Sequence, residues 1–233
     1  MKKIISIIYI AIIGFCVTSC ENDIDNYTSP NGGIKGTIYD AKTNEAIPLP
    51  VEGGNGVIVN LHEIGTNATK SIDFRAKQDG TYENSKVFNC EYRVVVNGPF
   101  VDACEGIVTV KGQTQFDLTA TPYSRVSISA SADASNKVTI NYAAVASNAS
   151  DKVESVSIIW NFAPGVDVNS SNYATLVNSN DAEGIYTFDL PNDARYKDNH
   201  YKIVANGNKV YVRVAAKVNG KVNYSKTTEV VLK

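Results

Sequence analysis

Histidine is scarce in this sequence, which has only two in 233 residues, His62 and His200. Histidine is the usual general base near neutral pH. The nucleophile pattern G-x-S-x-G and the zinc-protease pattern H-E-x-x-H are also absent from the sequence. We therefore expect no catalytic residue, no metal site and no cofactor, and we predict that the protein is not an enzyme.

One segment, Asp167 to Asn172, begins like a calcium loop rich in oxygen ligands. It lacks the glycine that such loops carry at the sixth position and the acid that they carry at the twelfth. We predict that this segment is a plain polar loop.

An excess of basic charge is missing as well. Lysine and arginine together number 22 against 24 aspartates and glutamates, which gives a formal net charge of −2. Binding to the phosphate backbone needs clustered lysine and arginine. We therefore exclude nucleic acid as a partner.

The longest apolar run is too short to span a bilayer. It covers Ile4 to Val17, 14 residues that follow Lys2 and Lys3, whereas a transmembrane helix needs about 20. A short apolar run after positive charges and before small residues is typical of a cleaved export signal. We predict a signal peptide over residues 1–19.

The end of this run, Val17-Thr18-Ser19-Cys20, resembles a bacterial lipobox. The resemblance implies that Cys20 becomes the lipidated N-terminus, and that several acyl chains tie the protein stably to a membrane. Residues 20–32 are polar and we predict a flexible tether. The acidic residues directly after Cys20 resemble the signal for the cell-surface side of the outer membrane. The alternatives are an ordinary signal peptide with an incidental cysteine, and a leader that is merely solvated.

Four cysteines are present, and two of them, Cys16 and Cys20, belong to the signal and the anchor. The remaining two are Cys90 and Cys104. In an oxidising compartment such a pair favours a disulfide. We therefore expect a Cys90–Cys104 bridge, with a pair of buried thiols as the alternative.

Sustained helical periodicity is missing beyond the signal. Short runs with alternating apolar residues, such as Val57 to Leu61 and Val156 to Phe162, dominate the chain and predict strands. Pairs that favour turns separate these runs and predict hairpins. The pairs are Asp79-Gly80, Asn97-Gly98, Asn206-Gly207 and Asn219-Gly220. We predict an all-β protein of two β-sandwich domains in tandem, with a boundary near Tyr123 that separates residues 33–122 from 123–233.

The first of these domains resembles the carboxypeptidase-regulatory-like, or transthyretin-like, sandwich. The resemblance is carried by the strand Gly33 to Asp40, the hairpin residues Asp79-Gly80-Thr81-Tyr82 and the strand Glu91 to Val96. The stretch Leu49 to Asn55 departs from the pattern of that family.

The second domain resembles a fibronectin type III or immunoglobulin-like sandwich more loosely. We predict that it ends in a meander of three strands, Tyr201 to Ala205, Lys209 to Lys217 and Val222 to Val231. Trp160 alternates with Ile158 and Phe162, so we expect it to be buried.

Taken whole, the chain resembles a Bacteroidota family of outer-membrane lipoproteins of unknown function that accompany polysaccharide uptake systems. The resemblance implies a non-catalytic surface lipoprotein that binds glycan or docks on outer-membrane uptake proteins. Four of the 13 tyrosines lie in or beside polar stretches, where an exposed ring would be available to a sugar, namely Tyr123, Tyr173, Tyr196 and Tyr201. We name no ligand-binding residue from this pattern. The alternative is a structural or adhesive protein that offers an exposed edge strand to another chain.

Overall fold

The computed structural model describes residues 29–233, and these fold into sixteen strands and one α-helix. The predicted signal peptide, Cys20 and most of the predicted tether lie outside the described residues. The first eight strands are β1 Gly32–Asp40, β2 Ile58–Ile64, β3 Ile72–Arg75, β4 Thr81–Val87, β5 Glu91–Asn97, β6 Cys104–Thr109, β7 Gln113–Gln115 and β8 Leu118–Ala120. The last eight are β9 Ser124–Ala132, β10 Lys137–Ala146, β11 Ser155–Asn161, β12 Thr175–Ser179, β13 Glu183–Asp189, β14 Lys209–Val218, β15 Lys221–Tyr224 and β16 Thr228–Val231.

Strands β1 to β8 form the first sandwich. One sheet has the order β4-β1-β7, with β8 also pairing with β1, and the facing sheet has the order β3-β2-β5-β6. Alternate residues of β5, including Tyr92, Val94 and Val96, are buried between the sheets, because successive side chains of a strand point to opposite faces. The apolar alternation in the sequence therefore places the core as expected.

Strands β9 to β16 form the second sandwich. Its smaller sheet has the order β13-β10-β9, and its larger sheet has the order β12-β11-β14-β15, with β16 also pairing with β14. The core between them contains Trp160, which is completely buried. The predicted all-β fold of tandem sandwiches is confirmed.

The four predicted turns have different surroundings. Asn219 and Gly220 both have positive φ and join β14 to β15 in a two-residue hairpin, as their preference for this region predicts. Asn97-Gly98 lies at the start of the longer loop between the paired strands β5 and β6. Gly80 also has positive φ, but it connects strands of opposite sheets, so the hairpin predicted there is wrong.

The predicted strand Tyr201 to Ala205 is also wrong, because these residues end the helix α1, Ala194–Ala205. The hairpin predicted at Asn206-Gly207 is therefore wrong as well, since this pair joins the helix to β14. The side chain of Asp193 caps the helix by accepting a hydrogen bond from the backbone N–H of Arg195 at 2.7 Å. Only Tyr196 and Ile203 of the helix are buried. Two apolar anchors seven residues apart leave little helical periodicity in the sequence, and the alternation after residue 200 imitates a strand.

Within residues 29–233, no helix combines the length and the apolar character that crossing a membrane requires.

Candidate functional site

The two cysteines that we expected to form a disulfide are both free thiols in the structure. The register of the β5–β6 hairpin explains why. Cys104 lies opposite Val96 at one end of the hairpin, whereas Cys90 lies opposite Val110 at the other end, where its carbonyl accepts the Val110 N–H. Six residues of strand separate the two positions by about 20 Å, and a disulfide needs Cα atoms within about 7 Å. The expected bridge is therefore wrong.

The environment of these thiols also makes them poor nucleophiles. Burial raises the pKa of the Cys104 thiol to about 12, and burial also raises the pKa of Cys90. The thiolate is the reactive form of cysteine. Both side chains therefore stay protonated at neutral pH, and Cys104 packs as a small apolar residue of the first core.

The two histidines lie on different sandwiches, and both His62 and His200 are exposed. His62 lies opposite Arg93 in the β2–β5 ladder. The rings of His200 and Tyr196 meet in a T-shaped arrangement, with centroids 5.3 Å apart. Among residues 29–233, no group of three or more histidine, cysteine, aspartate or glutamate side chains could hold a metal ion.

The tyrosines that were candidates for sugar contacts differ in exposure. Tyr201 is 68% exposed on α1, and Tyr196 is buried against Trp160. Tyr123 and Tyr173 are half-buried. The structure does not bring these four rings together as one platform.

The junction of the two sandwiches is where polar side chains converge. Arg213 on β14 is fully buried and donates hydrogen bonds to four backbone carbonyls, those of Ser225 at 2.8 Å, Val166 at 2.9 Å, Leu49 at 2.8 Å and Gln78 at 3.4 Å. Leu49 belongs to the first sandwich, so this guanidinium joins the two. Burial lowers the pKa of Arg213 to about 10, which leaves the group charged at neutral pH.

A second link at the junction comes from Asp167, in the segment that resembles a calcium loop. Its carboxylate accepts hydrogen bonds from the backbone N–H of Val51 and of Asn169 and from the side-chain amide of Asn172, at 2.8 to 3.0 Å. Gln78 adds a bond to the carbonyl of Pro164 at 2.9 Å. The Leu49 to Asn55 stretch, which departs from the resembled family, is therefore one of the parts of the first sandwich that contact the second.

Two cavities lie at this junction. The smaller one, which we call the amide pocket, has a volume of about 280 Å³. Its polar lining comes from loops and strand ends of both sandwiches, namely Asn55, Asn97, Asp167, Asn169, Lys221 and Tyr224. The Asn55 side chain forms no hydrogen bond with the described chain and is exposed. Its amide is therefore available to a ligand.

The larger cavity, which we call the edge groove, has a volume of about 720 Å³. Its lining includes Asp40, Lys42, Ile47, Arg125, Ile128 and Lys226. Arg125 forms a two-pronged ion pair with Asp40, with both N···O distances at 2.6 Å. Burial acts to raise the pKa of the Asp40 carboxyl, but the hydrogen bonds from Arg125 and from the Lys42 N–H lower it below its ordinary value.

Sequence reasoning did not find either cavity. Their residues come from segments far apart in the chain. The burial of Arg213 was not predicted, because an arginine in a strand usually faces solvent. One clue was present: in the alternation of β14, Arg213 shares a face with Tyr211 and Ala215, which indicates a covered outer face.

Comparisons with known proteins place this architecture in context. Residues 32–121 match the model of the N-terminal domain of DUF3823, described as a protein of unknown function. A solved DUF3823 family protein from Parabacteroides merdae is 22% identical, with a TM-score of 0.71 over 88% of this chain and 100% of that one. A second, from Bacteroides ovatus, is 24% identical, with a TM-score of 0.67 over 86% and 99%.

A Bacteroides uniformis protein named a "putative carbohydrate binding protein" is also similar in structure. It is 21% identical, with a TM-score of 0.66 over 87% of this chain and 100% of that chain. Curated proteins yielded no match to the sequence. The likeness to the solved structures shows that the two-sandwich fold is shared, and the first sandwich matches a domain whose function is unknown.

Proposed function

We propose that the protein is a non-catalytic, lipid-anchored outer-membrane protein that faces the cell surface and assists glycan capture by binding a saccharide in the amide pocket. The observation that carries the proposal is the set of three asparagines around one concave site. The Asn55 side chain has no hydrogen bond within the described chain, whereas the Asn97 amide nitrogen already donates to Asn60 and the Asn169 amide oxygen already accepts from Ser171, so each of these two keeps one polar atom for a ligand. The similarity to a protein named for carbohydrate binding supports it.

The chemistry of the amide pocket suits sugar hydroxyl groups. A side-chain amide has both donors and an acceptor, so it can bind hydroxyls, which also donate and accept. Lys221 adds an exposed donor, and Pro50, Pro99 and Val222 supply apolar contacts. The volume is near the lower end of ligand pockets, about 300 Å³, so we expect the pocket to take a single sugar unit of a longer glycan.

Geometry supports access to this pocket on an anchored protein. The chain enters the first sandwich at Gly32, and β1 runs from there to Asp40 at the junction. Its nine residues span about 27 Å. Gly32 thus lies at the end of the first sandwich that is remote from the junction.

Saccharide binding is tested by glycan array and calorimetric titration of the full chain in detergent. We expect the double variant Asn55→Ala/Lys221→Ala to bind a positive glycan at least tenfold more weakly. The matched control is Asn180→Ala, an exposed asparagine outside the pocket, which should bind normally. Silence of the wild type on both assays, or equal losses in both variants, would refute the saccharide site.

The anchor is tested separately. We expect Cys20→Ser to abolish membrane partitioning and to remove the acyl mass from the mature protein, because that sulfur carries the lipid. Protease treatment of intact cells should remove the wild-type protein if it faces outward. A soluble wild-type protein without acyl mass would contradict the anchor, and resistance to protease on intact cells would contradict the outward face.

Docking on outer-membrane uptake proteins is the remaining part of the proposal. We expect a tagged, membrane-inserted wild-type protein to co-purify with a porin of such a system in the presence of detergent. The Cys20→Ser variant should co-purify less, because without the lipid anchor it is not held in the membrane that contains the porin. Co-purification with unrelated envelope proteins only would argue against this partner.

A further inference from the structure

Within residues 29–233, strand β9 pairs only with β10, and it is therefore an edge of the smaller sheet of the second sandwich. The pairing fixes which of its backbone groups face outward. Ser147 donates to the carbonyl of Tyr123, and Asp133 donates to the carbonyl of Lys137. In an antiparallel ladder such pairs recur at every second residue. The odd-numbered residues of β9 therefore bond to β10, and the even-numbered ones direct N–H and C=O away from the sheet.

The first outward N–H of β9 is already satisfied by an amide. Ser124 donates its N–H to the side-chain oxygen of Asn223 at 3.1 Å, and the Asn223 side chain donates to the carbonyl of Pro99 at 3.1 Å. Asn223 thus takes the place that a neighbouring strand would occupy. The next outward groups belong to Val126 and Ile128, and they have no partner within residues 29–233.

The edge groove runs along this unpaired edge. Five successive residues of β9, from Ser124 to Ile128, line it, together with the loop around Ile47 and the segment that leads into β16. Ala143, Val145 and Ala146 of β10 also line it, so the groove extends over the outer face of the β9–β10 pair as well as beside the edge of β9. Five residues extend over about 17 Å, which fits a short extended segment.

The side chains of the groove add apolar and electrostatic preferences. Val145 is 65% exposed, and Val126 and Ile128 are half-buried beside the edge. Two ion pairs, Arg125 with Asp40 and Lys226 with Glu45, cancel their own charges. The charge of Lys42 is left without an ion-pair partner among the described residues and gives the groove a net positive charge.

We propose that the edge groove binds an extended polypeptide segment of another envelope protein, which adds as a strand beside β9. Its backbone pairs with the outward groups of Val126 and Ile128, its apolar side chains alternate along the groove, and an acidic side chain lies near Lys42. Main-chain hydrogen bonds supply affinity in this mode and the side chains supply selectivity. The proposal does not depend on the saccharide site, because the amide pocket is a different cavity.

A designed peptide tests this directly. The ligand is a hexapeptide of alternating valine and threonine with an aspartate at one end, titrated into the full chain in detergent. We expect binding that protects the Val126 and Ile128 amides from hydrogen exchange. The same peptide with every second backbone nitrogen methylated keeps its side chains but loses donors on one edge. The methyl groups can occupy either set of alternate nitrogens. The peptide that is methylated on the edge facing β9 should bind at least tenfold more weakly.

Variants of the edge strand give matched controls. Val126→Pro removes an outward N–H without breaking the ladder to β10, and we expect it to weaken peptide binding at least tenfold. Val126→Ala keeps that N–H and should retain binding within about threefold. On the opposite edge of the same sheet, Ile185→Pro also removes an outward N–H, because the bond from Ala144 to the Ala182 carbonyl sets the register of β13. It should bind normally.

Several results would overturn the proposal. The wild type could fail to bind the peptide, or both methylation patterns could bind like the parent. Equal effects of Val126→Pro and Ile185→Pro would also refute a site on β9. Self-association in sedimentation that Val126→Pro abolishes would show that the occupant is a second copy of this chain. Protection of the Val126 amide by a saccharide would show that the groove holds glycan. If Val126→Pro fails to fold, the methylated peptides on the wild type decide.

Discussion

Two arginines join the second sandwich to the first, and they do so in opposite environments. Arg213 is completely buried and donates to backbone carbonyls, among them that of Leu49. Arg125 keeps 23% of its side chain exposed beside the edge groove and pairs with the carboxylate of Asp40. The junction therefore has a buried side, which we call the dry side, and a partly exposed side that borders the edge groove, which we call the wet side.

The difference in partners has physical consequences. Backbone carbonyls do not titrate, so the hydrogen bonds of Arg213 persist at any pH at which the arginine is charged. The carboxylate of Asp40 does titrate, so the contact of Arg125 depends on pH. Arg213 also stacks on the ring of Tyr224, with 4.5 Å between the guanidinium carbon and the ring centroid, an interaction that strengthens when both groups are desolvated.

The largest effect is expected for Arg213→Ala. It leaves buried carbonyls without donors and opens a cavity, which together cost about 4 kcal/mol. Trp160 lies in the core of the second sandwich and the free thiol of Cys104 lies in that of the first, so tryptophan fluorescence and thiol labelling report the two separately. In urea the two transitions should coincide for the wild type and should separate for the variant.

A suitable control for this experiment is Arg93→Ala. Arg93 forms an ion pair with Glu105 on the exposed face of the first sandwich, where its side chain is 52% exposed. Exposed pairs contribute less than about 1 kcal/mol. If the two transitions of Arg213→Ala remained superimposed at the wild-type midpoint, the dry side of the junction would not be what couples the sandwiches.

A smaller effect is expected on the wet side. Single replacement of Asp40 or Arg125 by alanine should cost about 2 kcal/mol, because the pair is two-pronged and partly buried. A double-mutant cycle should give a coupling of about 1 kcal/mol. The matched pair is Glu45 with Lys226, which lines the same groove with side chains 64% and 69% exposed. It should show no measurable coupling, and equal coupling in both pairs would contradict a role for burial.

The pH dependence distinguishes the two arginines further. Although burial acts to raise the pKa of Asp40, hydrogen bonds from Arg125 and Lys42 lower it below the ordinary 3.8. A carboxyl with a lowered pKa in the folded state stabilises the protein above its unfolded pKa, and this stabilisation is lost as the pH falls through the folded value. Urea midpoints should therefore fall more steeply below about pH 4 in the wild type than in Asp40→Asn. Parallel curves would contradict the lowered pKa.

The sequence predicted the strands well because each sandwich has one buried face per strand, and burial imposes a period of two. The helix α1 was missed because only Tyr196 and Ile203 anchor it. Its capping residue, Asp193, looks like any loop aspartate in the sequence. In the structure Asp193 also accepts hydrogen bonds from Trp160 and Thr175, at 3.0 and 2.7 Å, and such long-range contacts leave no local pattern.

The cysteines and the junction show a second limit of prediction from the sequence. Whether Cys90 and Cys104 meet depends on the register of the β5–β6 hairpin, which is fixed by its long loop rather than by cysteine count. The role of Leu49 to Asn55 depends on what lies across the junction. The departure from the resembled pattern could be seen in the sequence, but its partner Arg213 is 164 residues away from Leu49.

The smallest effect concerns two buried serines beside the junction, which differ only in their partners. The hydroxyl of Ser225 accepts the N–H of Val214 at 3.0 Å and donates to the carbonyl of Lys226 at 2.9 Å. The hydroxyl of Ser124 has no hydrogen-bond partner within the described chain. Removing a paired hydroxyl costs about 1 kcal/mol, whereas removing an unpaired one relieves a desolvation penalty.

Ser225→Ala should therefore lower the free energy of unfolding by about 1 kcal/mol, and Ser124→Ala should leave it unchanged or raise it slightly. Urea denaturation of both variants at pH 7 measures the difference. Equal destabilisation by the two changes would mean that a water molecule already satisfies Ser124, and that the wet side of the junction is hydrated as far as this hydroxyl.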